Sequence, residues 1–216
     1  MPPGKVITEK TISENVYDRL LDYIFSDQVR PGEKLVERDL AEKFHVSRVP
    51  IREALAKMVA QGLLVDGGHR QGVRVRHYTP AESRQLVEFR FFLERCAIEV
   101  AAQRAEAADL ELLESVCQEA ESIDIANSWE AWGDLDHQFH VAIARASHNA
   151  RVVASLEGLL TEYHFIFYIH PRNKLTNSIE KTIEMKQRVI NMHRQITDAI
   201  AAGDGPLAIR LLQHHL

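Results

Sequence analysis

PGEKLVERDLAEKFHVSRVPIREAL, residues 31–55, decides the fold of this 216-residue chain. Pro31-Gly32 is a turn signal, and Val36, Leu40 and Phe44 recur on one face of a short helix. His45 falls where the chain must reverse, a position that favours glycine and that histidine tolerates better than most residues. Ser47 is placed to cap the next helix, and Pro50 lies in its first turn, where a missing N–H costs little. Ile51, Ala54, Leu55, Met58 and Val59 then follow the i, i+3, i+4, i+7, i+8 spacing that buries one face against the first helix. Arg48 and Arg52 are four residues apart near the N-terminal end, where a recognition helix meets base edges in the major groove. Arginine there can clasp guanine O6 and N7 or hold a phosphate. Two helices around a tight turn, with arginines at one end, form a helix-turn-helix suited to DNA.

Beyond Gly62, LLVDGGHRQGVRVR has the form of two short strands, Leu63–Asp66 and Val73–Arg76, around a glycine-rich tip. Gly67, Gly68 and Gly72 allow close approach to a groove, and His69 and Arg70 are placed to enter or flank a minor groove. A winged helix-turn-helix is thus expected over residues 11–76. The charges support a local basic footprint in an acidic chain of net charge −5. Residues 1–78 carry 13 Lys+Arg against 11 Asp+Glu, leaving 13 against 20 for residues 79–216. Six basic and two acidic residues fall between Arg48 and Arg76.

Length and a 45% hydrophobic content suit two ordinary domains, 1–78 and 79–216. No apolar run is long enough for a membrane span, and the N-terminus lacks the apolar core of a signal peptide, so a cytoplasmic protein without a membrane partner is expected. Cys96 and Cys117 fall at apolar helical positions and are expected as reduced core residues. Thr79-Pro80 with Glu82 makes a capping box that opens the second domain. From there amphipathic patterns predict six helices in an antiparallel bundle. The third opens at a capping box over Asn127–Glu130, the fourth ends near His170 before Pro171, and the fifth ends at Gly203-Asp204-Gly205-Pro206. The fold class is therefore mainly α: a winged helix-turn-helix with a small β wing, then an all-α bundle.

Within the bundle, Asp136 and His140 lie four apart beside the apolar stripe of Trp132, Leu135, Phe139 and Ile143, and can share one metal ion. His193 continues the stripe of Val189, Ile196 and Ile200, and His215 continues that of Ala208 and Leu211 or Leu212. Three imidazoles and a carboxylate suit zinc, nickel or a similar divalent ion such as manganese, with positions left for solvent or ligand. The plain alternative is a set of hydrogen-bonded core histidines. His137, His148, His164, His170 and His214 show no such pattern and are assigned to surface or core, though His214 competes with its neighbour His215 for the last position.

Residues 31–76 resemble the DNA-binding domain of GntR-type bacterial transcription regulators, which carry a PGxxLxExxLAxxxxVSRxPVRxAL pattern, then GLV and a glycine-tipped wing. The resemblance implies DNA contacts from Arg38, Arg48 and Arg52, assisted by Ser47, Gly68 and His69. His45 replaces the usual turn glycine, and Val49 a threonine that often contacts phosphate. DLDHQFHVAIARASHN resembles the DxxFHxxLxxASGN signature of the FadR-like subgroup's C-terminal ligand-binding domain, called FCD, and MHRQITDAIAAGD with LLQHHL resembles its ending. There Asp136, His140, His193 and His215 correspond to metal ligands. Effectors of the subgroup are commonly small organic acids, and Arg90 in EFRFFLE matches an inward-facing arginine of an RxxLE pattern; its alternative is a salt bridge to Glu94. The implied protein is a homodimer on a palindromic operator, more often a repressor, controlled by a small carboxylate or hydroxy acid. A purely structural metal is the second reading. A metal-dependent enzyme is the third, disfavoured because no acid or base motif accompanies the ligands.

Overall fold

The computed structural model describes residues 12–25, 28–68, 72–124, 129–166 and 179–216. The chain divides into two compact units, residues 1–77 and 78–216. Helices α1 (Ile12–Phe25), α2 (Glu37–Phe44) and α3 (Arg48–Ala60) of the first unit accompany strands β1 (Lys34–Leu35), β2 (Leu64–Asp66) and β3 (Val73–Val75). The strands form an antiparallel sheet in the order β1-β3-β2, with Lys34 opposite Arg74 and Leu64 opposite Val75. The wing hairpin is the expected one. Strand β1 is an addition, since two residues are too short to show a period of two.

Apolar faces explain the packing. Val16, Leu20 and Ile24 of α1 are buried with Leu40 and Phe44 of α2, with Ile51, Leu55 and Met58 of α3, and with Leu63 and Val75 beneath the sheet. His45 adopts the left-handed conformation at φ 56°, ψ 44°, and its N–H reaches the carbonyls of Ala41 and Glu42, so histidine does serve in the place of the turn glycine. Val36 departs from the expectation. It precedes α2 in extended conformation and is exposed, because the helix begins one residue later. Ser47 occupies the N-cap position of α3 by backbone conformation, yet its side chain makes no capping bond.

The second unit is a bundle of six described helices: α4 (Pro80–Arg104), α5 (Ala107–Ser122), α6 (Trp129–Ala146), α7 (Ala150–His164), α8 (Ile179–Ala201) and α9 (Gly205–His215). The capping box that opens α4 forms on both sides: Thr79 Oγ1 accepts from the Glu82 N–H at 3.2 Å, and the Thr79 N–H donates to Glu82 Oε2 at 2.8 Å. Helix α4 packs on α6, α7, α8 and α9, which makes it the element shared by most of the bundle. Ile98, Leu113, Phe139, Ile143, Leu156 and Ile196 are fully buried at its core.

Helix α7 stops at His164, and a π turn follows at Phe165 and Ile166. The expected continuation to His170, the polar loop after Pro171 and the capping box over Asn127–Glu130 lie outside the described residues. Cys117 is buried as expected, but Cys96 is exposed, because α4 turns Ala97, Ile98 and Ala101 inward instead. Among the described residues, no helix is long and apolar enough to cross a membrane.

Candidate functional site

Asp136 and His140 on α6, His193 on α8 and His215 near the end of α9 point at one another from three helices. Their four ligand-type atoms lie within 4.8 Å of one another. Asp136 Oδ1 is 3.4 Å from His193 Nε2 and 3.9 Å from the Nε2 atoms of both His140 and His215. The Nε2 atoms of His140 and His215 are 2.9 Å apart, and those of His193 and His215 3.4 Å. Ligand atoms at about 2.1 Å from a tetrahedral ion stand about 3.4 Å from each other, and this cluster falls around that value. His214, the competing neighbour, is exposed and bonds through Nδ1 to the Arg210 carbonyl at 2.7 Å, so the rotation of α9 brings His215 into the cluster.

The donor chemistry fits a cation. Asp136 Oδ1 is buried without a hydrogen-bond partner while facing three imidazoles. Burial opposes its ionisation, but the close approach of His193 Nε2 at 3.4 Å and the electrostatic influence of the surrounding imidazoles prevail and hold its carboxyl well below the ordinary range. Burial keeps His193 and His215 neutral by lowering their pKa values, and in His215 the neighbouring imidazoles add to the effect. A buried carboxylate facing three imidazoles matches the ligand types that a divalent ion takes.

Behind the cluster stands a buried pair on α4. Arg90 is 1% and Glu94 0% exposed; Arg90 Nε donates to Glu94 Oε1 at 2.5 Å, and Glu94 Oε2 lies 2.7 Å from His140 Nδ1. Burial disfavours the Glu94 carboxylate, but Arg90 and His140 outweigh it and hold its pKa at about 2. An ionised carboxylate only accepts, so Nδ1 of His140 carries the proton and Nε2 turns its lone pair to the cluster. Of the sequence alternatives for Arg90, the salt bridge to Glu94 is formed, and its Nη2 is buried with no hydrogen-bond partner. Its guanidinium also lies 3.9 Å over the Tyr163 ring.

Arg90, Asp136, His137, His140, Leu160, Tyr163 and His164 line a gap beside the cluster that is too narrow to admit a water molecule. The sequence assigned His137 and His164 to plain surface or core. Both are core-side residues, as expected, and their rings lie 5.5 Å apart at the edge of this gap. Burial, reinforced by His164 and His140, lowers the pKa of His137 to about 4. Glu94 was visible only as a rival partner for Arg90, and Tyr163 carried no signal at all, since nothing in a helical period says which ring lies under a guanidinium.

On the first unit, Arg38, Ser47, Arg48 and Arg52 are all exposed. Arg38 pairs with Asp39 at 3.0 Å. Arg52 meets Glu37 in a two-pronged contact, Nε to Oε1 at 3.0 Å and Nη2 to Oε2 at 2.8 Å, which leaves Nη1 outside the fork. Arg52 and Glu37 line an open groove between α3 and the wing with Lys34, Asp66, Gly68 and Gly72. Gly68 has φ 80°, its N–H donates to Asp66 Oδ1 at 2.9 Å, and a Cβ added there would meet open space; its glycine character serves the left-handed turn. Val49 is exposed on α3. His69 lies outside the described residues.

Residues 12–75 match the model of the gntR family of bacterial regulatory proteins, and residues 85–216 that of the FCD domain. A protein of Escherichia coli (strain K12), named as an L-lactate dehydrogenase operon regulatory protein, is 30% identical over 98% of this chain and 86% of its own. The HTH-type transcriptional regulator LutR of Bacillus subtilis (strain 168) is 31% identical over 89% of this chain and 92% of its own. Among solved structures, Escherichia coli McbR/YncC shares the fold with a TM-score of 0.72 at 19% identity, over 96% of this chain and 94% of that one. These relatives are named as regulators, not as enzymes. The chain belongs to the gntR family of bacterial transcription regulators and carries its FCD domain.

Proposed function

We propose that this regulator represses transcription from a palindromic operator as a homodimer, and that a small carboxylate or hydroxy acid bound at a divalent metal in the FCD unit releases it. The observation that carries the effector half is the meeting of one orphaned carboxylate oxygen and three Nε2 atoms. Asp136, His140, His193 and His215 would hold the ion, and zinc suits three imidazoles and one carboxylate, with nickel or manganese as substitutes. The metal would supply an electrophilic centre, and an oxygen ligand would have to widen the narrow gap beside it. The Nη2 of Arg90, beside the same space, would take the remaining negative charge of the acid. A hydroxy acid also suits the operon named for the Escherichia coli relative.

For the DNA half, Arg38 on α2 and Ser47, Arg48 and Arg52 at the start of α3 would meet a major groove, and Gly68, with His69 as the resemblance implies, its flanking minor groove. A dimer sets two such helices about one DNA turn apart, so a small change in their spacing removes affinity. A coupling of about 1–3 kcal/mol between effector and operator would give roughly 5- to 150-fold control.

Elemental analysis of purified protein, followed by melting curves against small carboxylates with and without chelator, tests the effector half. Bound divalent metal and an acid-induced rise in Tm that chelator removes support it. Metal-free protein with no response to any acid would leave the bundle as a dimerisation unit. Operator selection from random duplexes tests the DNA half, and recovery of sequences lacking a repeated half-site would sink the palindrome.

A further inference from the structure

Glu94 stands between the metal cluster and Arg90 and belongs to neither. It is fully buried on α4, and its two oxygens serve different masters: Oε1 takes Arg90 Nε at 2.5 Å, and Oε2 takes His140 Nδ1 at 2.7 Å. The far nitrogen of that imidazole faces the cluster, at 2.9 Å from His215 Nε2. The far end of that guanidinium, Nη2, is buried without a hydrogen-bond partner beside the same space. One carboxylate therefore holds the back of a metal-ligand candidate and the back of an anion-binding candidate together.

We infer that Glu94 is a positioning residue that couples the two sites in opposite senses, favouring the metal and restraining the anion. This inference rests on the metal-and-acid reading of the cluster. For the metal, a proton fixed on Nδ1 leaves Nε2 free as a donor, and such carboxylate partners of ligand histidines are typically worth 10- to 100-fold in metal affinity. For the anion, Glu94 occupies one edge of the Arg90 guanidinium and sets a negative charge beside the space that an acid must enter.

Glu94 already engages the Arg90 guanidinium and so competes with an acid anion for it; a cation held on the far side of His140 would offset that carboxylate, so the anion should enter after the metal. Replacing Glu94 by glutamine removes the carboxylate and gives Arg90 and His140 a single acceptor to compete for.

The test uses full-length protein, Co2+ as a spectroscopic metal probe and acetate as the anion. In the wild type, acetate should raise Tm only after Co2+ is bound. Glu94→Gln should bind Co2+ 10- to 100-fold more weakly in competition with a chelator, with an altered visible spectrum, and should respond to acetate without Co2+. Equal Co2+ affinity and spectrum in both proteins, or an acetate response that still demands Co2+ in the variant, overturns the inference while leaving the metal reading in place. A wild type that takes up no Co2+ overturns both. If Glu94→Gln does not fold, Arg90→Lys separates the two arms, because it leaves Glu94 on His140. It should keep Co2+ binding within about threefold and lose the acetate shift; a large fall in Co2+ affinity would count against the inference.

Discussion

Charged side chains are spent in opposite ways in the two units. In the first, Arg38 and Arg52 keep side-chain exposures of 64% and 67%, and their partners Asp39 and Glu37 sit on α2 at the surface. In the second, Arg90, Glu94, Asp136, His140 and His193 are buried and answer one another across α4, α6 and α8. Exposed ion pairs contribute about 0–1 kcal/mol and are easily exchanged. Arg52 can therefore leave Glu37 for a phosphate or a base edge at little cost to folding. A buried network has no such freedom, because removing one member strands another in a low-dielectric interior. Binding at the first unit should thus be separable from stability, and binding at the second should not.

Acid should expose this contrast most strongly. In metal-free protein, His193, His215 and His137 have folded pKa values depressed by burial. The unfolded chain therefore takes up protons first, and stability falls as pH drops below about 6.5. Glu94 adds a second loss lower down, since its stabilisation is present above the ordinary carboxyl value and disappears as pH falls from about 4.5 toward its folded value of about 2. Melting between pH 8 and 3 should therefore destabilise the second unit well before the first. Loss of both in one pH-independent transition would erase the distinction.

Arg90→Ala should follow, costing about 3–5 kcal/mol by leaving Glu94 buried without its cation. Urea unfolding measures this, and a change below about 1 kcal/mol would mean that Glu94 becomes protonated or hydrated cheaply. His140→Ala should abolish retention of a divalent ion on gel filtration while free-protein DNA binding stays within a few-fold; unchanged metal content would remove His140 from the ligand set. Arg52→Ala should be the gentlest on the fold, within about 0.5 kcal/mol of wild-type stability, yet lose about 1–3 kcal/mol of operator affinity and relax base preference. If stability and DNA affinity fell together in this variant, the surface of the first unit would be no freer than the interior of the second.

Local periodicity made much of this legible. The turn at His45, the apolar face of α3, the wing hairpin and the Thr79 capping box all depend on residues within a few positions of one another, so the sequence carries them directly. Asp136 and His140 were a visible pair for the same reason. Cys96 went the other way, because α4 carries apolar residues such as Phe89 and Phe92 on its exposed side as well as Ala97, Ile98 and Ala101 on its buried one, so the packing of α4 alone selects which face is covered. Val36 misled in a smaller way, since a helix that begins one residue late removes its first apolar position from the stripe.

By itself, the sequence determined the two-part plan, the recognition helix with its arginines and the candidate set of one aspartate and three histidines, since each is written in residue type and short spacing. Only the tertiary structure decided that His215 rather than His214 enters the cluster, that Arg90 serves Glu94 while still facing the site, and that His137, Tyr163 and His164 border it. Those outcomes depend on how α4, α6, α7, α8 and α9 are rotated and staggered against one another. That is fixed by the packing of side chains distant in sequence, which no local pattern encodes.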